Sequence, residues 1–174
     1  GDVYNRDRSV CTDCGLCVES CPSKAREMSG KRMTVEEVMR VVDSDSLFYD
    51  NSGGGVTFGG GEPTAAGVFL LGLLDASIRR GYHICLDTCG VCEPERFRKI
   101  MNQVELFLFD CKHMDPDEHK RLTGLDNVLI LQNLHALFEA KKALHIRVPL
   151  MPGINDTEKN IAQMAAFLHK HGHN

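Results

Sequence analysis

Four closely spaced cysteines near the start of the chain constrain its fold more than any other feature. The run consists of Cys11, Cys14, Cys17 and Cys21. With Pro22 it has the spacing C-x2-C-x2-C-x3-C-P, which is typical of proteins that bind [4Fe–4S] clusters. Where two such runs occur, the fourth cysteine of each binds the other cluster, and no second run occurs in these 174 residues. The run therefore predicts part of a cluster-binding module, with its four cysteines as iron ligands.

The other four cysteines do not repeat that spacing. They are Cys85, Cys89, Cys92 and Cys111, and they lie in apolar stretches far downstream. A disulfide framework is set aside, because such frameworks belong to short secreted chains without a large core. The C-x-x-C pair Cys89 and Cys92 follows a predicted strand, so a thiol oxidoreductase stays open as one alternative.

Composition limits the class of protein and its partners. A chain of 174 residues that is 43% hydrophobic can bury one core and carry a small appendage. The net charge of −4 offers no basic stripe, which argues against a nucleic-acid partner. The apolar stretch at 68–74 is much shorter than the roughly 20 residues of a membrane span, and no signal-peptide core is present. Eight cysteines without a secretory signal favour the reducing cytoplasm.

The chain divides into a cysteine-punctuated segment, 1–30, and a larger segment, 31–174. The larger segment alternates short apolar strands with helices, which predicts an α/β fold with a mainly parallel sheet. The predicted strands are 55–58, 83–87, 106–110 and 144–150. The predicted helices are 35–42, 64–80, 94–101, 115–122, 128–141 and 157–169. Four strands are fewer than a complete eight-stranded barrel contains.

Polar residues follow every predicted strand, where parallel α/β folds collect their chemistry. The first strand is followed by the glycine-rich loop 59–63, whose backbone a ligand can approach closely. A phosphate-binding P-loop fits poorly, because no Lys-Ser or Lys-Thr pair follows the glycines. The later strand ends carry Asp87, Thr88, Asp110, Lys112 and Arg147. Acids near an ammonium, and Lys or Arg near a carboxylate, would suit a zwitterionic ligand.

Four motifs in order, at 52–63, 87–90, 110–115 and 147–153, make the chain resemble the glycyl-radical-enzyme activating enzymes of the radical S-adenosylmethionine (SAM) superfamily, typified by pyruvate formate-lyase activating enzyme. The resemblance implies that a reduced [4Fe–4S] cluster cleaves SAM and that the 5′-deoxyadenosyl radical abstracts hydrogen from a glycine of a partner enzyme. It implies a glycyl radical enzyme as client, and a reductant such as flavodoxin or ferredoxin. It also implies a partial TIM-type β/α barrel with the remnant of a ferredoxin-like insert in residues 1–30.

The resemblance also assigns the cofactor-binding residues. The loop that holds the methionyl ammonium corresponds to Gly60, Gly61, Glu62 and Pro63. Gly59 stands where Ser or Thr is more usual. Lys112 would face the carboxylate of SAM, and Asp87 and Asp110 would share a monovalent cation. Thr88 and Arg147 complete the implied set.

Two departures from the family pattern predict an internal fragment without catalytic residues of its own. The C-x3-C-x2-C motif of the catalytic cluster, expected upstream of the insert, does not occur in residues 1–10, and a later strand and histidine are also missing. The fragment itself is expected to be inactive. A ferredoxin-like electron carrier fused to an α/β binding domain stays open as the alternative function. His169 and His173 are spaced to share a metal, but the sequence favours a polar terminus.

Overall fold

The computed structural model describes residues 11–12, 14–28 and 30–171. The chain forms two compact units, Gly1–Thr34 and Val35–Asn174. In the first unit, helix α1 (Leu16–Glu19) follows Gly15, whose φ of 81° lies in the left-handed region that glycine tolerates. This one-turn helix contains Cys17 of the cysteine run.

The second unit alternates strands and helices, as the sequence predicts. The strands are β1 (Gly55–Phe58), β2 (His83–Thr88), β3 (Leu106–Asp110) and β4 (Ala143–Arg147). The helices are α2 (Val35–Asp43), α3 (Ser46–Ser52), α4 (Val68–Arg79), α5 (Pro94–Met101), α6 (Pro116–Thr123), α7 (Val128–Glu139) and α8 (Glu158–Lys170), with a 3₁₀ turn at Pro63–Ala66.

All four strands are parallel and lie in the order β1-β2-β3-β4. Each strand therefore pairs with the strand that precedes it in the chain, as in a β/α barrel. The carboxyl ends of the strands meet at one edge, where Asp110 pairs with Arg147 and Thr88 pairs with Phe109. The predicted α/β fold with a partial barrel sheet is confirmed.

The hydrophobic core lies against one face of the sheet. Alternate strand residues such as Leu86, Phe107 and Phe109 are fully buried there together with side chains of α4, α5 and α7. The intervening residues project from the opposite face because side chains alternate along a strand. Several of them are accessible, including Thr57 and His145.

Most predicted boundaries lie within two residues of the observed ones, and three larger differences occur. The last strand ends at Arg147 rather than at residue 150. The helix predicted at 64–80 is interrupted at Gly67, whose φ of 59° separates the 3₁₀ turn from α4. Helix α3 was not predicted, because its polar sequence has no apolar periodicity and Leu47 and Phe48 are exposed.

In the part of the chain that the structure describes, every helix is too short or too polar to cross a membrane.

Candidate functional site

Three of the predicted site residues form an ion-pair cluster at the ends of β2, β3 and β4. Arg147 Nε donates to Asp110 Oδ1 at 3.0 Å, and Arg147 Nη2 lies 2.8 Å from the same oxygen. Arg147 Nη2 also donates to Asp87 Oδ1. These side chains are 42%, 26% and 31% exposed, in the order Arg147, Asp110, Asp87. We call them the acid–arginine cluster.

The sheet register explains why the cluster forms. Asp110 and Arg147 are paired residues on β3 and β4, so their side chains project from the same face of neighbouring strands. Hydrogen bonds to Asp87, and then to Asp110, raise the pKa of the Arg147 guanidinium above its ordinary value. The guanidinium thus lies between the two carboxylates, where the resemblance predicts a shared monovalent cation. That cation stays a prediction, and Arg147 already supplies a positive charge there.

Glu62 connects the loop after β1 to the end of β2. Its Oε1 accepts hydrogen bonds from Thr64 N at 3.1 Å, Thr64 Oγ1 at 2.8 Å and Thr88 Oγ1 at 2.6 Å. Its Oε2 accepts one from Cys89 N at 2.8 Å. Both oxygens of the carboxylate therefore accept hydrogen bonds from the protein. Glu62 would act on a ligand indirectly, by holding the loop after β1 in position.

Those donors also determine the charge state of Glu62. Burial raises the pKa of the carboxyl, but hydrogen bonds from Cys89, Thr88 and Thr64 outweigh it and leave the pKa below the ordinary value. Thr88 is 2% exposed and Pro63 is also buried. Because neighbouring residues of a strand project to opposite faces, Thr88 joins Glu62 while Asp87 joins Arg147. The predicted residues therefore form two groups.

The glycines of the loop leave its backbone open. Gly60 and Gly61 have φ values of 78° and 53°. Among the described residues other than their chain neighbours, no heavy atom lies within 4 Å of where their Cβ would be. A Cβ on Gly59 would lie 3.2 Å from Asp87 Cβ, which is tighter than ordinary contact. A glycine at 59 therefore lets the end of β1 approach Asp87 closely.

Lys112 follows β3 and is half-buried. Among the described residues, no carboxylate oxygen lies within 4.0 Å of its Nζ, in contrast to Arg147. Its ammonium is close enough to Cys89 to lower the pKa of that thiol, although burial and Glu62 raise it by more. Lys112 is therefore a positive group at the same sheet edge that can pair with an incoming anion.

Buried asparagines hold the loops at this edge, and sequence reasoning missed them. Asn155 donates to the carbonyls of Lys112 (2.9 Å) and Pro149 (3.0 Å), and Asn133 donates to those of Gly90 (2.9 Å) and Cys92 (2.7 Å). Both asparagines are at most 2% exposed. The available signal was an asparagine within the apolar helix sequence around 133, because a buried amide requires partners.

Comparison with known proteins agrees with this architecture. The family model described as the radical SAM superfamily matches residues 13–165, which is most of the chain. The chain belongs to the radical SAM superfamily. Members of this family use a [4Fe–4S] cluster and SAM.

Within the superfamily, the curated relatives are glycyl-radical-enzyme activating enzymes. The chain is 41% identical over 168 residues to isethionate sulfite-lyase activating enzyme of Oleidesulfovibrio alaskensis, covering 94% of the chain and 54% of that protein. It is 36% identical over 198 residues to trans-4-hydroxy-L-proline dehydratase activating enzyme of Clostridioides difficile, covering 95% and 65%. The chain thus spans about half to two thirds of the length of these relatives.

Comparison with solved structures also finds an activating enzyme and other radical SAM enzymes. A domain of pyruvate-formate lyase-activating enzyme from Bacteroides vulgatus is 40% identical, with a TM-score of 0.61, covering 66% of this chain and 71% of that one. SuiB from Streptococcus suis, bound to SAM, has a TM-score of 0.64 at 16% identity, covering 86% and 34%. At that identity SuiB supports the radical SAM fold alone.

The sheet edge fits the methionyl group of SAM. Gly60 and Gly61 leave open backbone, and Lys112 has no carboxylate partner among the described residues. Asp87 and Asp110 add carboxylates at the neighbouring strand ends. An ammonium group requires acceptors and a carboxylate group requires a cation, and this edge offers both. The assignment of individual residues to SAM stays a proposal.

The cysteine run of this radical SAM chain offers thiols suited to iron. Cys14 and Cys17 are exposed, and Cys11 and Cys21 are partly buried. The Ser23 hydroxyl, followed by backbone hydrogen bonds, lowers the pKa of the Cys21 thiol. Iron–sulfur clusters bind thiolates, so the chemistry of this run fits a cluster. Its assignment as the ligand set remains a prediction.

Cys85, Cys89 and Cys92 have the spacing C-x3-C-x2-C of the superfamily's catalytic cluster motif, a coincidence that sequence reasoning missed. Cys85 lies inside β2, so roughly 13 Å of extended chain separates it from Cys89. Cys92 belongs to the hydrophobic core. Burial is the main cause of a raised pKa in all three thiols, and the pKa of Cys89 rises to about 11. The positions of Cys85 in a strand and Cys92 in the core do not suit a shared cluster, and the raised thiol pKa values do not suit the oxidoreductase alternative.

Proposed function

We propose that this chain forms the SAM-facing part of an activating enzyme that installs a glycyl radical on a partner enzyme. The observation that carries the proposal is the set of groups at one sheet edge: the open backbone of Gly60 and Gly61, the acid–arginine cluster and Lys112. The identity to activating enzymes along almost the whole chain supports the same function.

In this proposal each group has a defined task. The open backbone at Gly60 and Gly61 accepts the methionyl ammonium, and Lys112 pairs with the methionyl carboxylate. Glu62 holds the glycine loop against β2 through Thr88 and Cys89. Arg147 keeps the two acids of the cluster close together without mutual repulsion. When bound, SAM and a reduced [4Fe–4S] cluster supply a 5′-deoxyadenosyl radical that takes a hydrogen atom from a glycine of the partner.

The proposed partner is a glycyl radical enzyme. Pyruvate formate-lyase is one candidate, through the 40% identity to a domain of its activating enzyme. The names of other relatives specify different partners, such as isethionate sulfite-lyase and choline trimethylamine-lyase. The proposal also includes a low-potential reductant, flavodoxin or ferredoxin, and a cytoplasmic location.

A chimera tests the proposed function. In the isethionate sulfite-lyase activating enzyme, the matched segment is replaced by residues 11–171 of this chain. The chimera is reconstituted anaerobically with iron, sulfide, SAM and a reductant, and 5′-deoxyadenosine is measured. We expect formation of 5′-deoxyadenosine, reduced about 10-fold or more by K112M, because a charge-assisted contact is worth about 1.5–3 kcal/mol. The exposed-site variant E95Q is the matched control.

A chimera that folds and binds iron like its parent, but does not cleave SAM, would contradict the proposed function. Equal activity of K112M and the unsubstituted chimera would remove Lys112 from the site and leave the function standing.

A further inference from the structure

A cluster of potential metal ligands lies away from the strand ends. His135 and Glu139 are four residues apart on α7, and His171 follows α8. One ligand atom from each of the three lies within 4.8 Å of the other two. His135 Nδ1 and His171 Nδ1 are 3.0 Å apart. Residues four apart share one face of a helix, so His135 and Glu139 point together toward the end of α8.

The ring of His171 is held in place by aromatic neighbours. It stacks on Phe138 with a centroid distance of 5.4 Å and an interplanar angle of 7°, and it contacts Phe167 at 4.7 Å. Phe138 is itself 7% exposed and belongs to the core. The core therefore fixes the direction in which His171 presents its Nδ1 atom.

We propose that His135, Glu139 and His171 bind a divalent transition-metal ion, with Zn²⁺ as the representative ion. Two imidazoles and one carboxylate are a ligand set that Zn²⁺ accepts, at about 2.0–2.2 Å from each ligand atom. Tetrahedral Zn²⁺ would place the two nitrogens slightly farther apart than they are now, so a small rotation of the exposed His135 side chain opens the site. The fourth position is left to water. This proposal is independent of the proposed function.

The Nδ1 atoms of His135 and His171 can either form a hydrogen bond with each other or both bind a metal ion. Without metal, one Nδ1 carries a hydrogen and donates it to the other, since two facing lone pairs repel. Binding through both Nδ1 atoms requires both rings to carry their hydrogen on Nε2. The ring that donated therefore changes tautomer, with no change in net charge.

The metal would connect α7 to the end of α8. These helices are already joined by the contact between Phe138 and Phe167, with ring centroids 6.1 Å apart. A ligand that binds only the folded state stabilises it. The expected effect is therefore a higher unfolding temperature when Zn²⁺ is present.

Zinc titration of the full chain tests the site. Because the cysteine run also attracts Zn²⁺, the titration uses a variant in which Cys11, Cys14, Cys17 and Cys21 are replaced by Ser. Calorimetry should give one Zn²⁺ per chain, and Zn²⁺ should raise the unfolding temperature. H135Q and H171Q should each weaken binding by at least about tenfold, since loss of even an outer-shell partner costs 10–100-fold. E139Q should weaken it in the same direction.

The matched control is H169Q, which removes an exposed histidine of α8 that is outside the cluster. It should leave Zn²⁺ affinity unchanged. His169 was paired with His173 as a metal candidate in the sequence, and His173 lies outside the described residues. Loss of binding in H169Q with retention in H135Q would overturn the proposed ligand set. Absence of stoichiometric Zn²⁺ binding to a folded chain would overturn the site.

Discussion

Thr88 Oγ1 donates to Glu62 Oε1 at 2.6 Å, and this hydrogen bond joins the loop after β1 to the carboxyl end of β2. The same hydroxyl accepts a hydrogen bond from Gly90 N at 2.9 Å, which extends the connection into the loop after β2. Two loops at this edge of the sheet are thus held by one carboxylate and one hydroxyl. The position of the open glycine backbone depends on this contact.

Removal of the Glu62 carboxylate should destabilise the protein. E62A leaves buried Thr88 and the Cys89 N–H without their acceptor, and we expect a loss of about 2–4 kcal/mol in the free energy of unfolding. The measurement is urea unfolding at neutral pH. The control is E95Q, whose carboxylate is 84% exposed. A loss for E62A no larger than that for E95Q would show that Glu62 does not hold the loop.

The pKa of the Glu62 carboxyl is lower in the folded state than in the unfolded state. The ionised carboxylate therefore stabilises the fold at pH values above the pKa that Glu62 has in the unfolded chain. This stabilisation is lost as the pH falls through the folded pKa. E62Q should therefore show a weaker decline in stability on acidification than the unsubstituted chain. Equal acid sensitivity in the two proteins would contradict this assignment.

The sequence predicted the sheet and the polar residues that follow its strands. It did not predict which of those residues contact one another. Strands β1 and β3 have the predicted bounds, because short apolar runs between turn residues are a strong local signal. That Thr88 projects toward Glu62 and Asp87 toward Arg147 depends on strand register, which is set by long-range pairing. Asn155 was missed for a similar reason, because its carbonyl partner at Lys112 lies 43 residues away.

Loss of Arg147 should expose the repulsion between Asp87 and Asp110. R147A should lower the free energy of unfolding by about 1 kcal/mol near neutral pH, since the cluster is partly exposed. D110N in the R147A background should recover part of that loss. The matched control is R121A, which breaks an exposed pair on α6 and should lower the free energy of unfolding by less than R147A does.

The same variant tests the predicted monovalent cation. At equal ionic strength, KCl should stabilise R147A more than tetramethylammonium chloride does, if K⁺ can take the place between the two acids. Identical stability in the two salts would count against a cation site at Asp87 and Asp110.

Cys89 should be a slow nucleophile. Burial, followed by the neighbouring Glu62 carboxylate, raises the pKa of its thiol to about 11, so about one molecule in a thousand carries the thiolate at pH 8. Alkylation by iodoacetamide, followed by mass spectrometry, should label Cys21 well before Cys89. E62Q should accelerate labelling of Cys89, because it removes a negative charge. Labelling of Cys89 as fast as Cys21 would restore the thiol oxidoreductase alternative.

The 174-residue chain by itself should not cleave SAM. Its one C-x3-C-x2-C spacing belongs to Cys85, Cys89 and Cys92, and these thiols lie in a strand, beside Glu62 and in the core. A cluster on the run from Cys11 to Cys21 would use four cysteines, which leaves no iron for the methionyl group. After anaerobic reconstitution with iron, sulfide and a reductant, 5′-deoxyadenosine should stay at the level of a protein-free control. The variant C89A should give the same result, and turnover that C89A abolishes would show that β2 holds a catalytic cluster.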